Sequence, residues 1–177
     1  GLARPCADPR GKRRGTQVAR ETIRVNVMNV SEVMHPSVRT CSVDDTLDRV
    51  ARVMWEEDCG CVPLVDREGR IAAMVTDRDV CMAAYTQGQP ISTIVARSAA
   101  SRSVTTVREN ATLDSVEALM RDRQIRRIPV VDSDERPIGI VSLNDLALHA
   151  HPGGRRREGL SAESVARTLA AICEHSP

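Results

Sequence analysis

The sequence predicts a mixed α/β (α+β) fold, two β-α-β-β-α units packed with pseudo-two-fold symmetry and followed by a C-terminal helix. Three observations carry this reading. Residues 37–84 align with residues 103–150 without a gap, with fifteen identities in forty-eight positions. A repeat of that period fixes the architecture before any local detail is read. Within each copy, apolar residues at helical spacing give way to two short apolar runs separated by a turn. Finally, a unit of roughly 50 residues is small for an independent core, so two copies have reason to bury their faces against each other.

In chain order, residues 1–27 are basic, contain Gly and Pro, and lack apolar periodicity, which reads as a flexible tail. The first repeat with its lead-in is placed at 28–90 and the second at 91–150. Each opens with a short β-type stretch, residues 38–41 and 104–107. Leu47, Val50, Ala51 and Met54 then fall on one helical face, as do Leu113, Val116 and Met120. Asp44 or Asp45 in the first copy and Asn110 in the second are the N-cap candidates. "CVPLVD" and "RIPVVD" read as buried strands with proline near the start, where a missing N–H is tolerated. "REG" and "SDE" are turns, "RIAAMV" and "RPIGIV" are returning strands, and the closing helices begin at Thr76 and Ser142. Between the copies, residues 85–100 form a linker in which "ISTIVAR" echoes "VSEVMHP" of residues 30–36. Residues 151–160 are a breaker and linker. Residues 161–177 form a helix capped by Ser161, with Leu160 and Val165 as a hydrophobic staple and Val165, Leu169 and Ile172 as its apolar stripe.

Composition narrows the function classes. With 41% apolar and 28% charged residues and a formal charge of +1, the chain reads as a soluble globular protein with no global pull toward nucleic acid or membrane. No apolar run approaches the roughly 18 to 20 residues of a membrane span. The basic N-terminus is followed by no apolar segment, so cytoplasm is the expected compartment. Six cysteines lack paired C-x-x-C spacing and read as reduced, mostly buried thiols. One Trp, one Tyr and no Phe mean an aliphatic core and no aromatic platform for stacking bases.

The chemistry concentrates in "AAMVTDRDV" and "IGIVSLNDL". Thr76 with Asp79 and Ser142 with Asp145 are each a hydroxyl followed three residues later by an acid, and the ordinary reading of such a quartet is a capping box. Its recurrence at matching places, each directly after a buried strand, supports a second reading. A strand-to-helix junction offers free N–H groups to a phosphate, and an acid there can accept from ribose hydroxyls.

The gapless repeat, the "VPLVD" and "IPVVD" strands and the "AMVTDRD" and "GIVSLND" junctions resemble a tandem pair of cystathionine β-synthase (CBS) domains, a Bateman module of the small stand-alone bacterial type, over about residues 30–150. The family motif G-h-h-T/S-x-x-D, with h apolar, is matched in full at Gly139, Ser142 and Asp145. At the first copy Ala73 replaces the preferred Gly, while Thr76 and Asp79 are kept. The resemblance implies two clefts between the paired sheets for an adenosyl regulatory ligand, AMP, ADP, ATP or S-adenosylmethionine, with no cofactor required. The base would be clamped by aliphatic side chains and backbone. Each cleft would be lined by the lead-in of the opposite copy, residues 35–40 beside Ser142/Asp145 and residues 101–106 beside Thr76/Asp79.

On that resemblance the better site is expected at Gly139, Ser142, Asn144 and Asp145, with Arg126, Arg127 and Thr40. The weaker is expected at Ala73, Thr76, Arg78, Asp79 and Thr106, because the Ala73 methyl would crowd a close-lying ligand. Arg126 and Arg127 read equally well as solvated charge at a helix end or as a forked phosphate clamp. No metal-ligand or nucleophile pattern occurs in the sequence, so no enzymatic activity is expected. The module is expected to act as a homodimer that signals to a separate effector protein. The alternatives are a ligand-free structural or dimerisation module and, on the basic tail and residues 121–127 and 155–157, a nucleic-acid binder.

Overall fold

A computed structural model describes residues 28–101, 103–150 and 160–174. The expected tail, most of the 151–160 linker and the last three residues lie outside the described residues. The elements are β1 (His35–Pro36), β2 (Cys41–Ser42), α1 (Leu47–Glu56), β3 (Cys61–Val65), β4 (Ile71–Thr76), α2 (Asp77–Gln87), β5 (Val107–Arg108), α3 (Leu113–Arg123), β6 (Arg127–Val131), β7 (Pro137–Ser142), α4 (Leu143–Leu148) and α5 (Ala162–Cys173). Short 3-10 turns at Val30–Glu32 and Ala96–Ser98 precede the two units.

Each unit has the expected β-α-β-β-α order. In the first, β2 pairs parallel with β3 and β3 antiparallel with β4. In the second, β5 pairs parallel with β6 and β6 antiparallel with β7. Both hairpins break register at the same step, Leu64/Val65 and Val130/Val131, so the repeat extends to the irregularity of the ladder. The opening strands are shorter and later than expected, at residues 41–42 and 107–108 rather than 38–41 and 104–107.

The caps of α1 and α3 correct the sequence expectation. Thr46 and Thr112, not Asp44, Asp45 or Asn110, stand at the N-cap positions. Asp45 is already engaged one turn earlier, where the Ser42 N–H donates to its Oδ2 at 2.8 Å, and Asp44 pairs with Arg97. The shorter Thr112 hydroxyl accepts from the Ser115 N–H at 3.3 Å. Local aspartates thus stabilise the approach loop, and the β-region threonine starts the helix.

The lead-ins cross over. The Val30 N–H donates to the Ala111 carbonyl at 2.9 Å and the Ser31 N–H to Glu109 at 3.0 Å, both in the second unit. At the matching positions, the Ala96 N–H donates to the Asp45 carbonyl at 2.8 Å and the Arg97 N–H to Val43 at 3.2 Å, both in the first. Val30 and Val33 accordingly sit in the second unit's core with Val116, Met120, Ile128 and Val141. Ile94 and Ala96 sit in the first with Leu47, Val50, Val62 and Val75. The structural counterpart of Val30 is therefore Ala96, not Ile91 as the "ISTIVAR" echo suggested. β1 completes the exchange by pairing antiparallel with β7, giving a four-stranded sheet in the order β1-β7-β6-β5.

α5 covers the second unit, packing on α3 and α4. Ser161 caps it and the Leu160/Val165 staple is buried. Its inward stripe differs from expectation, since Thr168 is fully buried and Leu169 is 47% exposed. The cause lies in α3. Glu117 is buried and needs donors, which the Ser164 hydroxyl supplies at 2.6 Å and the Thr168 hydroxyl at 3.4 Å, while Arg121 donates to Thr168 at 2.9 Å. Satisfying that carboxylate turns the helix so that hydroxyls, rather than Leu169, face inward.

Candidate functional site

The junctions after β4 and β7 are built alike. The Thr76 hydroxyl accepts from the Asp79 N–H at 3.2 Å, and Asp79 Oδ2 accepts from both the Thr76 N–H at 2.8 Å and the Thr76 hydroxyl at 2.7 Å. Ser142 and Asp145 repeat this with 3.3, 2.7 and 2.7 Å. Both are complete capping boxes. The cap uses one carboxylate oxygen. Among the described residues the Oδ1 atoms of Asp79 and Asp145 have no hydrogen-bond partner, so each acid can still accept from a second molecule.

Two cavities open beside these acids. The first, about 270 Å³, is lined by Thr76 and Asp79 with Ser101, Ser103, Val104 and Thr105 of the opposite lead-in, closed by Met74, Ile125 and Pro129. The second, about 330 Å³, is lined by Ser142, Asn144 and Asp145 with His35, Ser37, Val38 and Arg39 of the opposite lead-in and Ile140. Each therefore joins a helix start from one unit to the entering chain of the other. Both volumes are near the lower end of small-ligand cavities, about 300 Å³.

Several sequence-selected residues fall elsewhere. Thr40 is exposed and Thr106 half-buried, and neither lines its cavity, where residues 37–39 and 103–105 stand instead. Arg78 is exposed on α2, outside the cavity walls. Arg126 borders the Thr76/Asp79 cavity and not the Ser142/Asp145 one with which the sequence grouped it, whereas Arg127 borders both. Glu57, Asp58 and Cys59, beside the second cavity, were not singled out from sequence. They follow the end of α1 rather than belonging to a motif, and only the tertiary fold brings them there.

Gly139 and Ala73 also line neither cavity. A Cβ at Gly139 would stand 2.8 Å from the His35 carbonyl oxygen and 2.8 Å from Met34 Sδ, so this glycine lets β1 lie against β7. Ala73 is buried in the first unit's core. There the crossing is a looser one, in which the Ser101 N–H donates to the Met74 carbonyl at 3.0 Å and the Met74 N–H to the Ser101 hydroxyl at 3.1 Å. The Gly/Ala difference acts on strand pairing, not on the cavity wall.

Cys61 borders both cavities and is buried between them. Burial pushes its thiol up to about 11, against a smaller opposing pull from Arg127. It is a neutral wall element at physiological pH, not a nucleophile. Among the described residues no group of three or more His, Cys, Asp or Glu is arranged to hold a metal ion, and no helix is long and apolar enough to cross a membrane.

The CBS domain family matches residues 30–85 and 96–151, in phase with the structural units. The chain is 30% identical to Hypoxic response protein 1 of Mycobacterium tuberculosis over 142 residues, 80% of this chain and 92% of that protein. It is 33% identical over 119 residues to protein MK0525 of Methanopyrus kandleri, covering 67% of this chain and 61% of that protein's length. Among solved structures, the CBS domain pair of protein MJ0100 in complex with 5'-methylthioadenosine and S-adenosyl-L-methionine superposes with a TM-score of 0.62 at 23% identity, over 69% of this chain and 94% of that one. The crossed lead-ins, the doubled unit and these matches converge, and the chain belongs to the CBS domain family.

Proposed function

We propose that this CBS pair is a non-catalytic regulatory module that binds adenosyl ligands in its two clefts and passes their occupancy to a partner protein. The observation that carries this reading is the composition of each cleft. A carboxylate with one uncommitted oxygen comes from one unit, and polar residues of the lead-in come from the other. A ribose accepted by Asp79 or Asp145 would bridge the units and change how tightly they are held, and differential affinity for two arrangements is what a regulatory signal requires. The base would lie against Met74, Val104, Ile125 and Pro129 in one cleft and Val38 and Ile140 in the other. The adenosyl ligands of the MJ0100 pair support the same ligand class. We place the module in the cytoplasm as a homodimer.

Isothermal titration with AMP, ADP, ATP and S-adenosylmethionine tests the reading. Micromolar to millimolar binding by at least one is expected. Absence of heat and of thermal stabilisation with all four overturns it.

A further inference from the structure

The two clefts share a plan and differ in charge. The Thr76/Asp79 cleft carries two guanidinium groups, Arg126 and Arg127, against one carboxylate, Asp79. The Ser142/Asp145 cleft carries Arg39 and Arg127 against three carboxylates, Glu57, Asp58 and Asp145. Within the second cleft, moreover, Arg39 is already tied to Glu57 at 3.0 Å. The guanidinium groups of Arg126, which is exposed, and Arg127, which is half-buried, have no hydrogen-bond or ion-pair partner among the described residues. An unpaired guanidinium at a partly desolvated wall is poised for an anion, and its fork geometry suits a phosphate.

The helices behind the clefts differ in the same sense. α2 runs eleven residues and α4 six, so fewer aligned peptide dipoles stand behind Ser142. The extra acid of the α2 first turn, Asp77, does not line the Thr76/Asp79 cleft. It faces Gly60 and Arg127 at the outer mouth, where its Oδ2 and Arg127 Nη2 lie 3.2 and 3.3 Å from the position a Gly60 Cβ would take.

We propose that the clefts divide their ligands by charge. The Thr76/Asp79 cleft takes a phosphate-bearing adenosine nucleotide, with Arg126 and Arg127 as its phosphate ligands, and the Ser142/Asp145 cleft takes an adenosine derivative without phosphate, neutral or cationic. This rests on the adenosyl reading above and reverses the preference that Gly139 suggests from sequence. It also predicts communication. Arg127 borders both clefts, so a phosphate that draws it to one side leaves Glu57, Asp58 and Asp145 less opposed on the other. A nucleotide in the first cleft then favours a cation in the second, and by reciprocity the reverse.

The test is calorimetry of the full chain and three variants with AMP and with S-adenosylmethionine, a sulfonium cation without phosphate. Arg126→Gln leaves both capping boxes intact and should weaken AMP at least tenfold with S-adenosylmethionine changed less than twofold. Asp79→Ala should remove AMP binding only, and Asp145→Ala S-adenosylmethionine binding only. AMP binding lost in Asp145→Ala but kept in Asp79→Ala and Arg126→Gln overturns the charge division and leaves the adenosyl reading standing. Both ligands lost to one and the same variant overturns it as well. A wild-type chain that binds neither ligand defeats the adenosyl reading itself, and this proposal with it.

Discussion

Among the described residues, the first unit presents an open helical layer and the second a covered one. α3 and α4 lie beneath α5, which brings Leu160, Val165 and Thr168 into the second core. α1 and α2 pack on each other, and among the described residues no helix covers them as α5 covers α3 and α4; the chain's two aromatics, Trp55 and Tyr85, stand there 88% and 82% exposed. At the position matching Trp55 the second unit has Arg121, whose guanidinium bonds to Thr168 of α5. The two copies thus keep the same hairpins, down to the register break, and differ in what packs on their outer helices.

The comparison can be broken most sharply at Glu117. Its replacement by alanine removes the acceptor of Ser164 and Thr168 and leaves a buried hydroxyl short of a partner. A loss of about 2–4 kcal/mol in urea denaturation is expected, together with early proteolytic release of α5. Unchanged stability would mean that α5 rests on its apolar staple alone.

Cys61 and Arg127 hold matching positions in the two units, one a buried thiol and one a half-buried cation, and the buried thiol ties the stability of its unit to alkaline pH. Below pH 9 the Cys61 thiol is protonated in both folded and unfolded chain. Between 9.0 and about 11 the unfolded chain ionises and the folded one does not, so stability falls as pH rises through that window. The contribution is about 2–3 kcal/mol. Stability measured at pH 8 to 11 should fall less steeply in Cys61→Ala than in the parent chain.

Gly139→Ala should cost about 1–3 kcal/mol by forcing the His35 carbonyl away from β7, measured by denaturation and by faster amide exchange at β7. The first unit already carries alanine at the matching position, buried without such a contact, and accommodates it through the looser Ser101 crossing. The smallest effect is expected on the open face. Trp55→Gln and Tyr85→Gln should each change chain stability by less than about 0.5 kcal/mol, yet lower the apparent mass in sedimentation if this face joins two copies.

The repeat, both hairpins and both capping boxes were legible because they rest on local spacing, namely alternation, helical periodicity and a hydroxyl three residues before an acid. What escaped depended on partners distant in sequence. Asp45 reads as a cap until Ser42 engages it, and Leu169 reads as core until the demand of Glu117 rotates α5. The cleft walls divide likewise. Thr76, Asp79, Ser142 and Asp145 lie where the motif puts them, whereas Arg126 and the acids following α1 are assigned by which cleft the tertiary fold turns them toward. Gly139 was read as making room for a ligand, and the space beside it holds the His35 carbonyl and Met34 side chain, because a motif marks where space is needed without naming what fills it.

The crossed lead-ins have a kinetic and evolutionary consequence. Because Val30 completes the core built around α3, and Ile94 the core built around α1, neither half of the chain contains its own core in full. Contacts so distant in sequence slow the search and tie the two halves into one transition, so a single calorimetric endotherm should be seen instead of two. A cut between the units should yield fragments that fold only when mixed. Once the duplication had exchanged its first segments, neither copy was free to be lost.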